Sequence, residues 1–169
     1  MAGTLYAPWR LAYVSSADHR DRSQCVFCAA FESADDRGTL TLCRDRHSFA
    51  LLNLYPYTTG HAMVAPIRHC EDLGDLPVEA LVEIMSTAKE LMTALRRIYG
   101  PHGFNVGFNV GEAAGAGIEE HLHLHVVPRW RGDNNMMTVV GGTRVLPEDL
   151  GRTYEKMTAA LEELGVLRR

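Results

Sequence analysis

The sequence predicts an α+β domain: an antiparallel five-stranded sheet with a long helix packed on it. Three observations predict it. Short apolar or alternating runs recur along the chain with the length and period of strands. One stretch, Leu81 to Ile98, repeats apolar residues every three or four positions, the period of a helix. The segments follow one another as strands, helix, strands, helix, the order of a sheet with helices on one face.

Taken in order, residues 1–24 read as an irregular arm. Thr39-Leu40-Thr41-Leu42 and Ser48-Phe49-Ala50-Leu51-Leu52 read as the first two strands, and His61 to Ala65 as a third. Pro77 then opens a helix that runs to about Tyr99. Its apolar face is Leu81, Ile84, Met85, Ala88, Leu91, Met92, Leu95 and Ile98, read as core and not as a cofactor site. Gly100-Pro101-His102-Gly103 ends it. Phe104 to Val110 and His121 to Val127 complete the sheet, with a stop at Pro128. Pro147 opens a last amphipathic helix, a C-terminal extension over about 147–164. Leu150, Tyr154, Met157, Leu161 and Leu164 face inward, and Gly165 closes it. No internal repeat or linker is visible, so residues 1–169 read as one domain.

Composition bounds the function. A chain of 169 residues is large enough to bury a real core. Its 17 basic and 21 acidic residues give a net charge of −4, which offers no general nucleic-acid footprint. No apolar stretch reaches membrane-spanning length, and the start shows no signal-peptide pattern. Cys25, Cys28, Cys43 and Cys70 do not form a dense disulfide scaffold, so reduced thiols and a cytoplasmic setting are expected.

The most informative run is His121-Leu122-His123-Leu124-His125. Histidine and leucine alternate strictly, so a strand would carry all three imidazoles on one face and both leucines on the other. Next-but-one residues on a strand lie ~6.5–7 Å apart, which leaves room for a phosphate between rings. Imidazole titrates near neutrality and serves as base, nucleophile or metal ligand. A catalytic zinc held by all three is awkward, because the first and third rings stand about 13 Å apart by strand rise. Nucleophilic attack by the middle ring, with its neighbours orienting it and holding phosphoryl charge, fits better. Just upstream, Gly111-Glu112-Ala113-Ala114-Gly115-Ala116-Gly117 can turn sharply and bring amides to an anion. It is followed by a strand and lacks Gly-Lys-Ser/Thr, so it is neither a dinucleotide fingerprint nor a Walker loop.

Cys25-Val26-Phe27-Cys28 supplies half of a tetrahedral zinc site; a redox dithiol and two buried thiols are the rival readings. His19, His47 and His102 sit beside charges or turn residues and are read as solvent-exposed.

The triad run, followed by Val126-Val127-Pro128-Arg129, resembles the signature of the histidine triad superfamily of nucleotide hydrolases and transferases. Leu52-Asn53-Leu54-Tyr55-Pro56-Tyr57-Thr58-Thr59-Gly60-His61-Ala62-Met63-Val64-Ala65-Pro66 is similar to that family's strand, turn, Gly-His and strand. Ala7-Pro8-Trp9-Arg10, Asn134 to Val140 and Arg144-Val145-Leu146-Pro147 resemble a bacterial branch whose members are often diadenosine polyphosphate hydrolases or phosphorylases.

The resemblance implies that His123 attacks the α-phosphate of a purine nucleotide or dinucleoside polyphosphate, such as diadenosine tetraphosphate. His125 donates to a phosphate oxygen, with His121 and His61 supporting. It implies that Asn53 binds ribose hydroxyls, Phe27 and Leu54 line a purine pocket, and Asn109, Gly115 and Gly117 contact phosphate. It further implies a structural zinc on Cys25, Cys28, His69 and His121, no organic cofactor, and a homodimer. One departure is Glu119-Glu120, where many members carry Ser, Thr or Gln. Two carboxylates beside an anion are unfavourable unless they face away or a cation intervenes, and they would favour a less charged substrate such as a phosphoramidate or aminoacyl adenylate. A nucleotide-binding module with little turnover and a catalytic metallohydrolase remain the alternatives.

Overall fold

A computed structural model describes residues 25–133 and 146–166. The expected arm over residues 1–24, His19, Ala7 to Arg10, and the flank from Asn134 through Val145 lie outside the described residues. Four helices and five strands are described: α1 (Val26–Glu32), α2 (Asp36–Thr39), β1 (Thr41–Arg44), β2 (Ser48–Leu52), β3 (Ala62–Pro66), α3 (Val78–Tyr99), β4 (Gly103–Phe108), β5 (Leu124–Arg129) and α4 (Leu150–Glu163). The strands form one antiparallel sheet in the order β1-β2-β3-β5-β4.

The sheet is covered unequally. Ala50 and Leu52 of β2, Ala62 and Val64 of β3, and Leu124 and Val126 of β5 pack on Ile84, Ala88, Leu91 and Leu95 of α3. Met157, Ala160 and Leu161 of α4 join the same core. On the opposite face, Phe49, Leu51, Met63 and Ala65 pack on Phe27 and Ala30 of α1. This explains why β2 and β3 are buried along their whole length and read as nearly continuous apolar runs. The small helix α1 therefore covers one end of the second face. The rest of that face, along β5 and β4, is left for the histidines.

Several boundaries differ from the sequence reading, each for a visible reason. Thr39 does not begin β1; it ends α2, because Asp35 caps Gly38 at 2.9 Å and Leu40 turns left-handed at φ 59°. The helix opened by Pro77 starts at Val78 and ends at Gly100, as expected, but Met85 is 52% exposed and faces away from the core. The last helix starts at Leu150, where Asp149 accepts from the Arg152 amide at 2.9 Å. Strand β4 begins at Gly103 and ends before Asn109. A short direct repeat, Gly103-Phe104-Asn105-Val106 followed by Gly107-Phe108-Asn109-Val110, begins in this strand and runs two residues past its end, where no repeat was read.

The largest correction concerns the triad. Pairing with β3 starts at Leu124, so His121 and His123 precede β5 rather than lie within it. The Leu122 amide instead donates to the Cys70 carbonyl at 2.7 Å, tying this lead-in to the segment after β3. Pro128 does not stop the strand, which runs on to Arg129. Pairing with β3 ends at Val126, so the missing N–H of Pro128 leaves no gap, and its carbonyl accepts from Thr58 Oγ1 at 2.9 Å.

Candidate functional site

Three histidines converge where β3 meets β5. His61 enters β3 immediately after Gly60, whose φ of +82° and whose approach to Leu95 exclude a Cβ. This glycine drops the chain onto the helix and turns His61 inward, where it is 1% exposed. His125 stands on β5 beside it, and the two rings lie 5.1 Å apart. His123 is 4.8 Å from His125 between ring centres, edge to face.

Fixed backbone groups settle which nitrogen of each ring carries the proton. The Tyr57 amide donates to His61 Nδ1 at 3.1 Å, so the His61 proton sits on Nε2. That Nε2–H donates to His125 Nδ1 at 2.9 Å, so the His125 proton sits on its own Nε2. His123 Nδ1 donates to the His121 carbonyl at 2.8 Å, which leaves Nε2 with an open lone pair. The arrangement thus sets one nucleophilic nitrogen beside one hydrogen-bond donor. Burial holds His123 below the usual histidine range, against the opposing pull of the His121 carbonyl. Burial and the neighbouring His123 ring push His125 down to about 4. Both rings are therefore neutral at pH 7, His123 as a base and His125 as an uncharged donor.

Phe27 is placed differently from expectation. It is 1% exposed, and its ring lies 4.7 Å from His123 and 5.1 Å from His121. It packs against the nucleophile, while Leu54, its expected partner in a purine pocket, is 45% exposed on the loop before His61. Asn53 sits at the head of that loop. Its Oδ1 accepts from the Tyr55 amide at 2.8 Å, and its Nδ2 lies 3.4 Å from His61 Nδ1. Asn109 lines the same cavity as His125, whereas Gly117 lies beside Glu71, Glu119 and Glu120. Gly115 takes φ +82° at the end of a short 3-10 turn, and both loop glycines are exposed. Glu119 and Glu120 are also exposed, and they line a depression with Glu71 rather than the cavity that holds His125.

A second cluster stands behind the first. One ligand atom each from Cys25, Cys28, His69 and His121 lie within 4.8 Å of one another. Cys25 Sγ is 3.2 Å and Cys28 Sγ 3.7 Å from His121 Nδ1, and Cys28 Sγ is 3.4 Å from His69 Nδ1. A tetrahedron built on Zn–S of about 2.3 Å and Zn–N of about 2.0 Å has edges of ~3.4–3.8 Å, so the four residues fit zinc. His121 Nε2 donates to the Pro66 carbonyl at 2.9 Å, which turns Nδ1 toward the thiols. Burial first, and then the Cys25 thiol, push Cys28 up to about 11, so a bound metal ion must displace its proton.

Tyr57 escaped the sequence reading, although its amide begins the proton chain and its ring lies 4.5 Å from His61 and 6.0 Å from His125. Only the Gly-His step downstream hinted at it.

Comparison with known proteins gives a consistent picture. A family model described as the HIT domain matches residues 37–132. An AP-4-A phosphorylase of Mycobacterium tuberculosis is 39% identical over 155 residues, spanning 88% of this chain and 79% of that protein. An adenosine 5'-monophosphoramidase of Saccharomyces cerevisiae is 26% identical over 96% of this chain and 98% of its own length. The crystal structure of a Zn-bound histidine triad family protein from Mycobacterium smegmatis superposes with a TM-score of 0.68 at 30% identity, covering 85% of this chain and 96% of that one.

Proposed function

The chain belongs to the HIT family, and from that premise we propose that it is a nucleotidyl hydrolase or transferase acting at the α-phosphate of a purine dinucleotide such as diadenosine tetraphosphate. One observation carries the reading: the His121 carbonyl takes the Nδ1 proton of His123 and leaves Nε2 ready to attack, beside the Nε2–H of His125. His123 Nε2 forms a bond to the α-phosphorus as the bridging P–O bond breaks, and the electron pair stays on the leaving phosphate. His125 steadies that oxygen with its hydrogen bond. Water or inorganic phosphate then attacks phosphorus, and the N–P electron pair returns to His123. Dividing one displacement into two lowers each barrier. Asn53 supplies amide hydrogens to the ribose and Leu54 an apolar contact to the base.

Zinc in the Cys25, Cys28, His69 and His121 cluster serves structure. It ties α1, which carries Phe27, to the segment that carries His123. A second copy of the chain is the expected partner. Strand β4 lies at the sheet edge, and Val106 on it is 39% exposed beside half-covered Phe104 and Phe108. Val78, Val82 and Met85 extend an exposed apolar stripe along α3. Cys25, Cys28 and Cys70 are free thiols, which suits a cytoplasmic setting. Among the described residues no helix is long and apolar enough to cross a membrane.

The test is intact-mass measurement after brief, acid-free quenching with diadenosine tetraphosphate. An AMP adduct on the wild-type chain, absent in His123→Ala, is the expected result. No adduct together with no turnover would reduce the protein to a binding module.

A further inference from the structure

The repeat in β4 gives that strand two unlike faces. Phe104, Val106 and Phe108 point toward α3, and Gly103, Asn105, Gly107 and Asn109 point to the histidine side. Gly107 pairs directly with His125. A Cβ built there would meet nothing within 4 Å, and its φ is ordinary, so neither a neighbour nor the backbone requires glycine. Glycine inside a strand costs about 0.5–1 kcal/mol and marks places where a ligand or another backbone approaches closely.

The space over Gly107 belongs to an open groove of about 1060 Å³ that crosses the β4 edge, since Val106 and Phe108 on the strand's other face and Tyr99, Glu148 and Lys156 on the helix side line it as well. His125 lines it at the reaction centre. From there it follows β5 past Val127 to Arg129, about 13 Å by strand rise, with Tyr57 and Asn105 on its walls. Arg129 donates to Asn105 Oδ1 at 2.7 Å, so the Asn105 amide hydrogens are turned outward as donors. The cavity contains His125 but not His123 among its described lining. An in-line displacement puts the leaving group on the side away from the nucleophile, and the cavity opens from His125, the donor to the leaving oxygen, rather than from His123.

We propose that this cavity is the subsite for the leaving half of the dinucleotide, a nucleoside 5'-polyphosphate, and that Gly107 is the specificity-determining position that lets its phosphate chain pass from His125 to Asn105. This rests on the nucleotidyl-transfer reading above and adds to it a residue-level account of why a dinucleotide is preferred. As the P–O bond breaks, the electron pair remains on the first phosphate oxygen of the departing half, beside His125. The rest of that half lies along Gly107. The charged residues of the lining cancel in pairs, Arg129 with Asp133 and Lys156 with Glu148, and the rest is more apolar than polar, which suits the base and ribose beyond the phosphate chain.

The experiment uses full-length His123→Ala protein, in which binding is separated from chemistry. Calorimetry should show diadenosine tetraphosphate binding at least tenfold more tightly than AMP. Asn105→Trp, which fills the far end, and Gly107→Val, which narrows the passage, should each cut that ratio to below threefold. Equal affinity for the two ligands in His123→Ala, or a tenfold ratio that survives both substitutions, overturns the subsite. Neither result touches the nucleotidyl-transfer reading, which stands or falls on the AMP adduct.

Discussion

The proton chain from the Tyr57 amide through His61 to His125 can be broken at its middle. His61→Leu keeps nearly the same volume and removes both ring nitrogens. His125 Nδ1 then loses its donor inside the protein. A buried acceptor left unpaired costs about 1–3 kcal/mol. With no partner at Nδ1, the hydrogen bond that favoured the Nε2–H tautomer is gone, and the Nδ1–H tautomer, which lacks the donor needed at the leaving oxygen, gains population. The productive tautomer is therefore disfavoured by about the same 1–3 kcal/mol, which corresponds to roughly 5- to 150-fold in kcat at ~1.4 kcal/mol per decade. KM should move by less than about threefold, since His61 has no ligand contact to lose. His61→Gln, whose amide can still donate, should recover part of the loss. Single-turnover kinetics with diadenosine tetraphosphate measure the rate, and 15N–1H correlation spectra of the imidazoles report the His125 tautomer. A His61→Leu protein within threefold of wild-type kcat, or one with an unchanged His125 tautomer, refutes the relay.

Acidification should destabilise the fold between pH 6.5 and about 4. His125 takes up its proton near 6.5 when unfolded but only at about 4 when folded, so the unfolded chain alone gains from falling pH across that window. Discounted for solvent reaching the partly exposed ring, the loss is on the order of 1–2 kcal/mol, and thermal melts from pH 7 to 4.5 should be flatter for His125→Gln. Protein purified without added metal should carry one zinc per chain by elemental analysis, and Cys28→Ser should lose the metal and melt lower; an unchanged melting temperature would count against the site. Removing the ribose 2'-hydroxyl should weaken binding roughly ten- to a hundredfold at a cost of about 1–3 kcal/mol, and Asn53→Ala should erase the difference in a direct titration. Light scattering should give a dimer mass at micromolar concentration, and Val106→Lys on the edge strand should yield monomer.

The sequence carried the period of the triad but not its setting. Alternation identified the shared face of His123 and His125, yet the first residue of β5 depends on where β3 stops pairing, which lies 60 residues away in sequence. The long helix was legible to within one residue because Pro77 and Gly100 punctuate it. Its phase was legible too, but not which flank lacked a neighbour, and so Met85 was read as core. The packing of Phe27 on His123 and His121 was not legible, because an aromatic beside a cysteine pair says nothing about which ring it will meet. The four metal ligands are separated by as many as 96 positions, and only resemblance joined the histidines to the cysteines before the geometry did. Proton positions were beyond any pattern in the sequence, since they depend on backbone amides and carbonyls that every residue type shares.

Strand β5 is added between β3 and β4 although it comes last of the three along the chain. Consequently the contacts that join the separate parts of the two clusters span long loops: 64 positions for His61 with His125 and 96 for Cys25 with His121. Such contacts carry a large closure entropy and tend to form late in folding. Substitutions at the histidines should then change the unfolding rate more than the folding rate, because they act on interactions formed after the barrier. On the ribosome, no nascent chain shorter than Arg129 can hold the centre, so nucleotide binding would appear only after the last strand has emerged.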